Sequence, residues 1–306
     1  SDAKLVVAVH EGRLAEQAVR TAAVRVTSLI LAAQHNRRGK RLDPEGGPMA
    51  RLLSDNHEAA RRVAREGAVL LKNEAAVPGE GRGVLPLRPD SAVALIGAFA
   101  ERPRYQGAGS SSINAARCET PLAAFRAAVE AAGGSVSYAA GYEPLSAGDD
   151  SGLLEEAVAV AREAASVVLL CGLPSSCESE GFDRAHLGLP AQMARLIERV
   201  AAVAPRLIVV LLNGSPVSMP WVSAVPAVLA MGLGGQAMGA ALADLTFGAA
   251  CPSGKLAETL PLQLDGAEHR HFASHPRQVV YREGLNVGYR QYRDDQLRPG
   301  GGGGGG

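Results

Sequence analysis

Two carboxylates and a guanidinium stand together in Glu178-Ser179-Glu180-Gly181-Phe182-Asp183-Arg184, directly after the apolar run Val167-Val168-Leu169-Leu170-Cys171-Gly172. That order puts ionisable groups on the loop leaving the carboxyl end of a buried strand, the edge on which open α/β sheets build their sites. Two chemistries are open to such a carboxyl. Held protonated by its surroundings it is a general acid, whereas a structural Glu needs only a cationic neighbour. Gly181 permits a backbone turn that presents the Glu180 carboxylate rather than burying it. Asp183 and Arg184 are close enough in sequence to ion-pair locally. Taken alone, the cluster reads more simply as ion pairing in a solvated loop, since structural networks also gather carboxylates.

Other segments carry weaker signals. Gly107-Ala108-Gly109-Ser110-Ser111-Ser112 could cradle an anion with backbone amides. It lacks the Lys of a phosphate-binding loop and the spacing of a dinucleotide fingerprint, so a structural turn is the plainer reading. Asn213-Gly214-Ser215-Pro216-Val217 follows the apolar run Leu207–Leu212 and could line the same crevice, but residue by residue it is ordinary turn chemistry. Trp221, the only tryptophan, could stack on a sugar; beside Pro220 and before an apolar run it reads as core. His269, His271 and His275 have no partners at ligand spacing, and no metal site is expected. Cys118, Cys171, Cys177 and Cys251 show neither a CxxC pair nor a disulfide framework and are expected as free thiols.

The elements that must position these residues follow from hydrophobic periodicity. From His57 the chain alternates: helix to about 66, strand 68–71, strand 92–97, helix 121–132, strand 135–139, helix 153–165, strand 167–171, helix 191–204, strand 207–212, strand 227–230 and helix 237–247. Continuous apolar strands alternating with helices predict an α/β fold, a doubly wound and mostly parallel sheet sandwich with helices on both faces. Upstream, Val19, Ala22, Ala23, Val26, Leu29, Ile30 and Ala33 lie at spacings of three and four, predicting an amphipathic helix over 16–33. Gly39, Pro44, Gly46, Gly47 and Pro48 break that pattern, and 36–56 reads as a linker. The periodicity fades beyond Pro261. Residues 266–297 read as an extended arm and 298–306 as a flexible glycine tail.

Composition narrows the function classes. Lys plus Arg and Asp plus Glu both total 31, so no net field attracts a polyanion and no nucleic-acid partner is expected. No apolar stretch reaches the roughly 18–20 residues of a membrane-spanning helix. Residues 4–9 lack the parts of a signal peptide, which leaves the compartment open, with the cytoplasm favoured over export.

Several motifs recur in a fixed order: Arg65-Glu66-Gly67-Ala68-Val69-Leu70-Leu71-Lys72-Asn73-Glu74, Arg104-Tyr105-Gln106-Gly107-Ala108-Gly109-Ser110-Ser111, the Glu178–Arg184 cluster with Leu187-Gly188-Leu189-Pro190-Ala191-Gln192, Asn213-Gly214-Ser215-Pro216-Val217, Pro220-Trp221, Gly234-Gly235-Gln236, Pro252-Ser253-Gly254-Lys255-Leu256 and Tyr281-Arg282-Glu283-Gly284. As an ordered set, spanning nearly everything from His57 to Tyr292, this resembles the C-terminal half of glycoside hydrolase family 3, the β-glucosidase and β-xylosidase family.

The resemblance implies a two-domain retaining glycosidase. A TIM-like barrel supplies an Asp nucleophile, and the α/β sandwich supplies the acid/base from the loop matched by Ser179-Glu180-Gly181. Carried over, Glu180 is the expected acid/base and Glu178 the fallback. Arg104, Gln106 and Ser110 fall near the sugar site and are expected to touch a β-linked glucoside or xyloside. No cofactor is implied. Residues 1–35 look similar to the last helix of the barrel, so the nucleophile and the barrel's substrate-gripping Lys and His motif are expected before Ser1, and the chain alone is expected to be inactive. The contrasting expectation is a non-catalytic α/β module that binds a sugar or a partner.

Overall fold

The computed structural model describes residues 2–37, 47–77, 79, 81–144, 150–181, 184–261, 284–285 and 288–290. The glycine tail, most of the arm, Asp183 with its expected ion pair, and the three arm histidines lie outside these residues. The chain divides into two compact units, Ser1–Asp55 and Asn56–Gly306.

The first unit is helical: α1 (Asp2–His10), α2 (Glu16–Arg37) and the start of α3 (Gly47–Gly67), which runs on into the second unit. α1 did not stand out in the sequence because nine residues with five adjacent apolar ones, Leu5 to Val9, show no helical period. Along α2 the stripe of small and branched residues stays open, with Val26 59% and Leu29 71% exposed.

Part of the expected linker is helical. α3 begins at Gly47, ten positions before His57, so residues 47–56 belong to the same helix as His57. Pro48 falls in the first turn, where an amide donor is not needed and the fixed φ suits a helix. Met49, Leu53, His57, Ala60 and Ala64 follow along this helix at spacings of three and four, and each is shielded from solvent.

The second unit is a six-stranded sheet in the order β1-β6-β5-β4-β2-β3, built from β1 (Val69–Asn73), β2 (Ala92–Ile96), β3 (Ser135–Ala139), β4 (Ser166–Gly172), β5 (Leu207–Leu212) and β6 (Ala227–Ala230). All neighbours are parallel except β1, which pairs antiparallel to β6 at one edge. Helices α4 (Pro121–Ala131) and α7 (Met238–Thr246) pack together, as do α5 (Ser151–Glu163) and α6 (Ala191–Ala201). This is the expected doubly wound, mostly parallel α/β sandwich. Every residue of β4 and β5 is buried, which explains why both read as unbroken apolar runs. Trp221 is buried, as expected of a core residue.

The strand order sets the site. From β2 the chain moves outward to β3 and returns to β4 on the other side of β2, so the direction of winding reverses between β2 and β4. Loops leaving the carboxyl ends of two such strands diverge and open a crevice.

Candidate active site

Three loops converge above that reversal: residues 98–120 after β2, 173–190 after β4 and 213–221 after β5. In the β4 loop the amides of Cys177 and Glu178 both donate to the Pro174 carbonyl, folding a tight turn that ends on the two glutamates. Gly181 takes φ +80°, the left-handed conformation its lack of a Cβ allows, and turns the chain away directly after Glu180. Together with Gly107, Ala108, Cys177, Arg184 and Ser215, these glutamates line a cavity of about 360 Å³.

The two carboxylates have different surroundings. Glu178 is largely enclosed, and the Gly214 N–H donates to Oε1 at 3.0 Å and Oε2 at 2.9 Å. The Ser215 hydroxyl donates to Oε1 at 2.6 Å, within the range of a charge-assisted bond, and Arg104 Nη2 approaches Oε2 at 3.5 Å. Four contacts from three partners occupy the acceptor sites of one carboxylate, which makes Glu178 a tie between the β2, β4 and β5 loops.

Glu180 is exposed and reaches toward the β2 loop, where the Ser110 N–H donates to its Oε2 at 2.9 Å. The contact depends on Gly109, which takes φ +79°; a Cβ there would sit 2.8 Å from the Glu180 Cβ. Hydrogen bonding from Ser110, by its side chain first and its backbone amide second, stabilises the ionised form and holds the Glu180 carboxyl below its ordinary pKa against a small opposing effect of burial.

Arg104 and Gln106 sit beside this loop but are turned inward. Buried Arg104 donates to the carbonyls of Leu173 (2.9 Å), Glu178 (2.9 Å) and Gln106. Gln106 pairs with Ile113 in both directions, accepting from its N–H at 2.9 Å and donating to its carbonyl at 3.0 Å. Among the expected substrate contacts, Ser110 alone is exposed, held to Glu180 by its N–H; Arg104 and Gln106 are engaged in shaping the loops. Gly214 and Ser215, which read as turn chemistry in the sequence, prove to be the donors that hold Glu178. Arg184 lines the same cavity and donates to the Pro216 carbonyl at 2.8 Å.

Among the described residues no group of three or more His, Cys, Asp or Glu is placed to hold a metal ion, and no helix is long and apolar enough to cross a membrane. Cys171 is buried, and that burial pushes its thiol well above the ordinary thiol range, so it is an inert core residue.

The doubly wound sheet thus carries one exposed carboxylate and one clamped carboxylate at its winding reversal. Residues 68–289 match the glycosyl hydrolase family 3 C-terminal domain, and the chain belongs to that family. It is 42% identical over 304 residues to thermostable beta-glucosidase B of Acetivibrio thermocellus, covering 98% of this chain and 38% of that protein. It is 39% identical over 239 residues to an exo-alpha-(1->6)-L-arabinopyranosidase of Bifidobacterium breve, covering 77% of this chain and 31% of the relative. In structure it is similar to the family 3 beta-glucosidase of Bifidobacterium adolescentis, with a TM-score of 0.70 and 36% identity over 95% of this chain and 40% of that one. The chain thus spans under half the length of these relatives.

Proposed function

We propose that this domain supplies the acid/base carboxyl, Glu180, to a retaining β-glycosidase whose nucleophile belongs to a barrel domain outside the 306 residues. The observation that carries this reading is the division between the two glutamates: Glu178 is occupied on both oxygens, while Glu180 stands exposed over the cavity with a single protein partner, Ser110. Only a carboxyl with capacity to spare can meet a departing sugar oxygen. The relatives' names suggest a glucoside or a related pentoside as the substrate class, and the motif resemblance a β-linked glucoside or xyloside.

In such a reaction protonated Glu180 donates to the glycosidic oxygen while a carboxylate about 5–5.5 Å from it attacks the anomeric carbon. The leaving alcohol departs with that proton, and a covalent glycosyl enzyme remains. Glu180, now ionised, takes a proton from water, and the resulting attack releases the sugar and regenerates the acid. The depressed pKa of Glu180 bears on this cycle. With Ser110 donating to it and water around it, the carboxyl is ionised at neutral pH and a poor acid. A docked barrel would strip water from it and set a second carboxylate opposite, and both effects raise its pKa toward that of a working acid. Without the nucleophile that such a barrel supplies, the 306 residues alone are expected to give little or no hydrolysis of aryl β-glucosides.

The same depressed pKa favours the second reading, a non-catalytic sugar- or partner-binding module in which Glu180 is a permanent anion. Glu180→Gln in the chain joined to a family 3 barrel separates the two. As an acid, Glu180 matters most where the leaving group is poor, so the loss of kcat/KM on alkyl glycosides reaches about 10²–10⁴-fold and is far smaller on activated aryl glycosides. Equal turnover of both substrates before and after the substitution would favour the module.

A further inference from the structure

The tip of the β2 loop touches Glu180, but what fixes the loop lies at its base. Residues 105–119 form an excursion whose two ends are hydrogen-bonded to one dipeptide: the Gly235 N–H donates to the Tyr105 carbonyl at 2.9 Å, and the Glu119 N–H donates to the Gln236 carbonyl at 2.9 Å. Within the excursion the two-way Gln106–Ile113 pair closes a smaller ring that bears Gly109, Ser110 and Ser111 at its tip.

His57 joins the parts of this neck. Its ring is buried, 3% exposed, with Nδ1 at 2.9 Å from Gln236 Nε2 and Nε2 at 3.1 Å from Glu119 Oε1. The Gln236 amide nitrogen is donor-only, so Nδ1 is the bare nitrogen and the proton sits on Nε2, toward Glu119, in close but off-axis contact. Each end of the ring thus meets one of the two side chains whose backbones are themselves paired. The ring is held on a fixed platform: α3 is bound to α7 by Arg61, which grips Asp244 through Nε at 2.8 Å and Nη2 at 2.7 Å, and by Arg65 at 3.2 Å. On the far side, Glu119 leads straight into α4, capped by Thr120, whose hydroxyl accepts from the Ala123 N–H at 3.2 Å.

Resting on the acid/base reading of Glu180, we infer that His57 is a positioning residue for it, acting through the neck of the 105–119 loop to hold Ser110 against its carboxylate. His57 touches neither the cavity nor the glutamates. Its effect is carried by the Gly235-Gln236 segment, which the sequence singled out and the catalytic cycle leaves without a role.

The carboxyl titration of Glu180 in the 306-residue chain, followed by carbon-13 NMR, tests this without any turnover. In His57→Phe the loop loses its anchor and both Ser110 donors leave Glu180, so the midpoint rises by more than in Ser110→Ala, which keeps the backbone donor. His57→Gln, able to bridge the same two partners, returns the midpoint toward wild type. A folded His57→Phe protein with the wild-type Glu180 midpoint overturns the inference, whatever its melting temperature. Should His57→Phe fail to fold, Gln236→Met decides: it removes the Nδ1 partner at similar volume, and an unmoved midpoint overturns the inference equally. Turnover in Glu180→Gln reports separately on the acid/base reading, so a shifted midpoint with intact Glu180→Gln turnover keeps the His57 clamp and removes the catalytic role.

Discussion

The backbone N–H of Ser110 is aimed at Oε2 of Glu180 across 2.9 Å, bridging the two loops that part at the winding reversal of the sheet. A hydrogen bond from a rigid turn to a flexible, exposed side chain fixes where the carboxylate rests. It also sets the proton affinity of that carboxylate, because a donor favours the charged form.

Ser110→Ala therefore raises the Glu180 midpoint toward the ordinary carboxylate value, in part only, since the backbone donor survives. The sign follows for stability too. The carboxyl is depressed in the folded chain, so its contribution is present above the unfolded pKa and lost as pH falls through the folded one. Denaturation curves of wild type and Ser110→Ala should differ at neutral pH and converge in acid.

Gly109→Ala tests the steric half of the same contact. The residue would be forced to φ +79° with its Cβ 2.8 Å from that of Glu180. A cost of about 1–3 kcal/mol in chemical denaturation is expected from the backbone alone. Displacement of Glu180 should also raise its titration midpoint; a stability loss with an unmoved midpoint would contradict the steric dependence of the Ser110–Glu180 contact on Gly109.

The two glutamates have opposite signatures. Glu178→Ala strands the Gly214 N–H and the Ser215 hydroxyl beside buried Arg104, and leaving such groups unpaired costs about 1–3 kcal/mol. Glu180→Ala, at an exposed position, strands no buried donor and lowers stability less than Glu178→Ala, while abolishing the depressed carboxyl titration. Equal destabilisation by both substitutions would contradict the division of roles.

Much of the fold was legible because β4 and β5 are covered on both sides, and Ser166–Gly172 and Leu207–Leu212 carry that burial as unbroken apolar runs. The start of α3 was not, because Gly47 and Pro48 punctuate a sequence much as they open a helix, and the spacing of three and four from Met49 to Ala64 emerges only when the break is ignored. At the site, the motif order located the loop with both glutamates but could not assign their partners. Which carboxylate receives Gly214 and Ser215, and that Arg104 turns inward to the Leu173 and Glu178 carbonyls, depends on how separate loops meet in space. His57 carried no local signal at all, its partners Glu119 and Gln236 being remote in the chain.

The central claim is that Glu180 gives a proton to the leaving sugar oxygen and later takes one from water. The most direct measurement is the product formed by Glu180→Gln in the chain joined to a family 3 barrel, given an activated aryl β-glucoside and azide. With no base to activate water, the glycosyl enzyme should accumulate, and azide, which needs no deprotonation, should restore part of the turnover and yield the β-glucosyl azide. Undiminished hydrolysis without azide, and no azide adduct in its presence, would contradict the account.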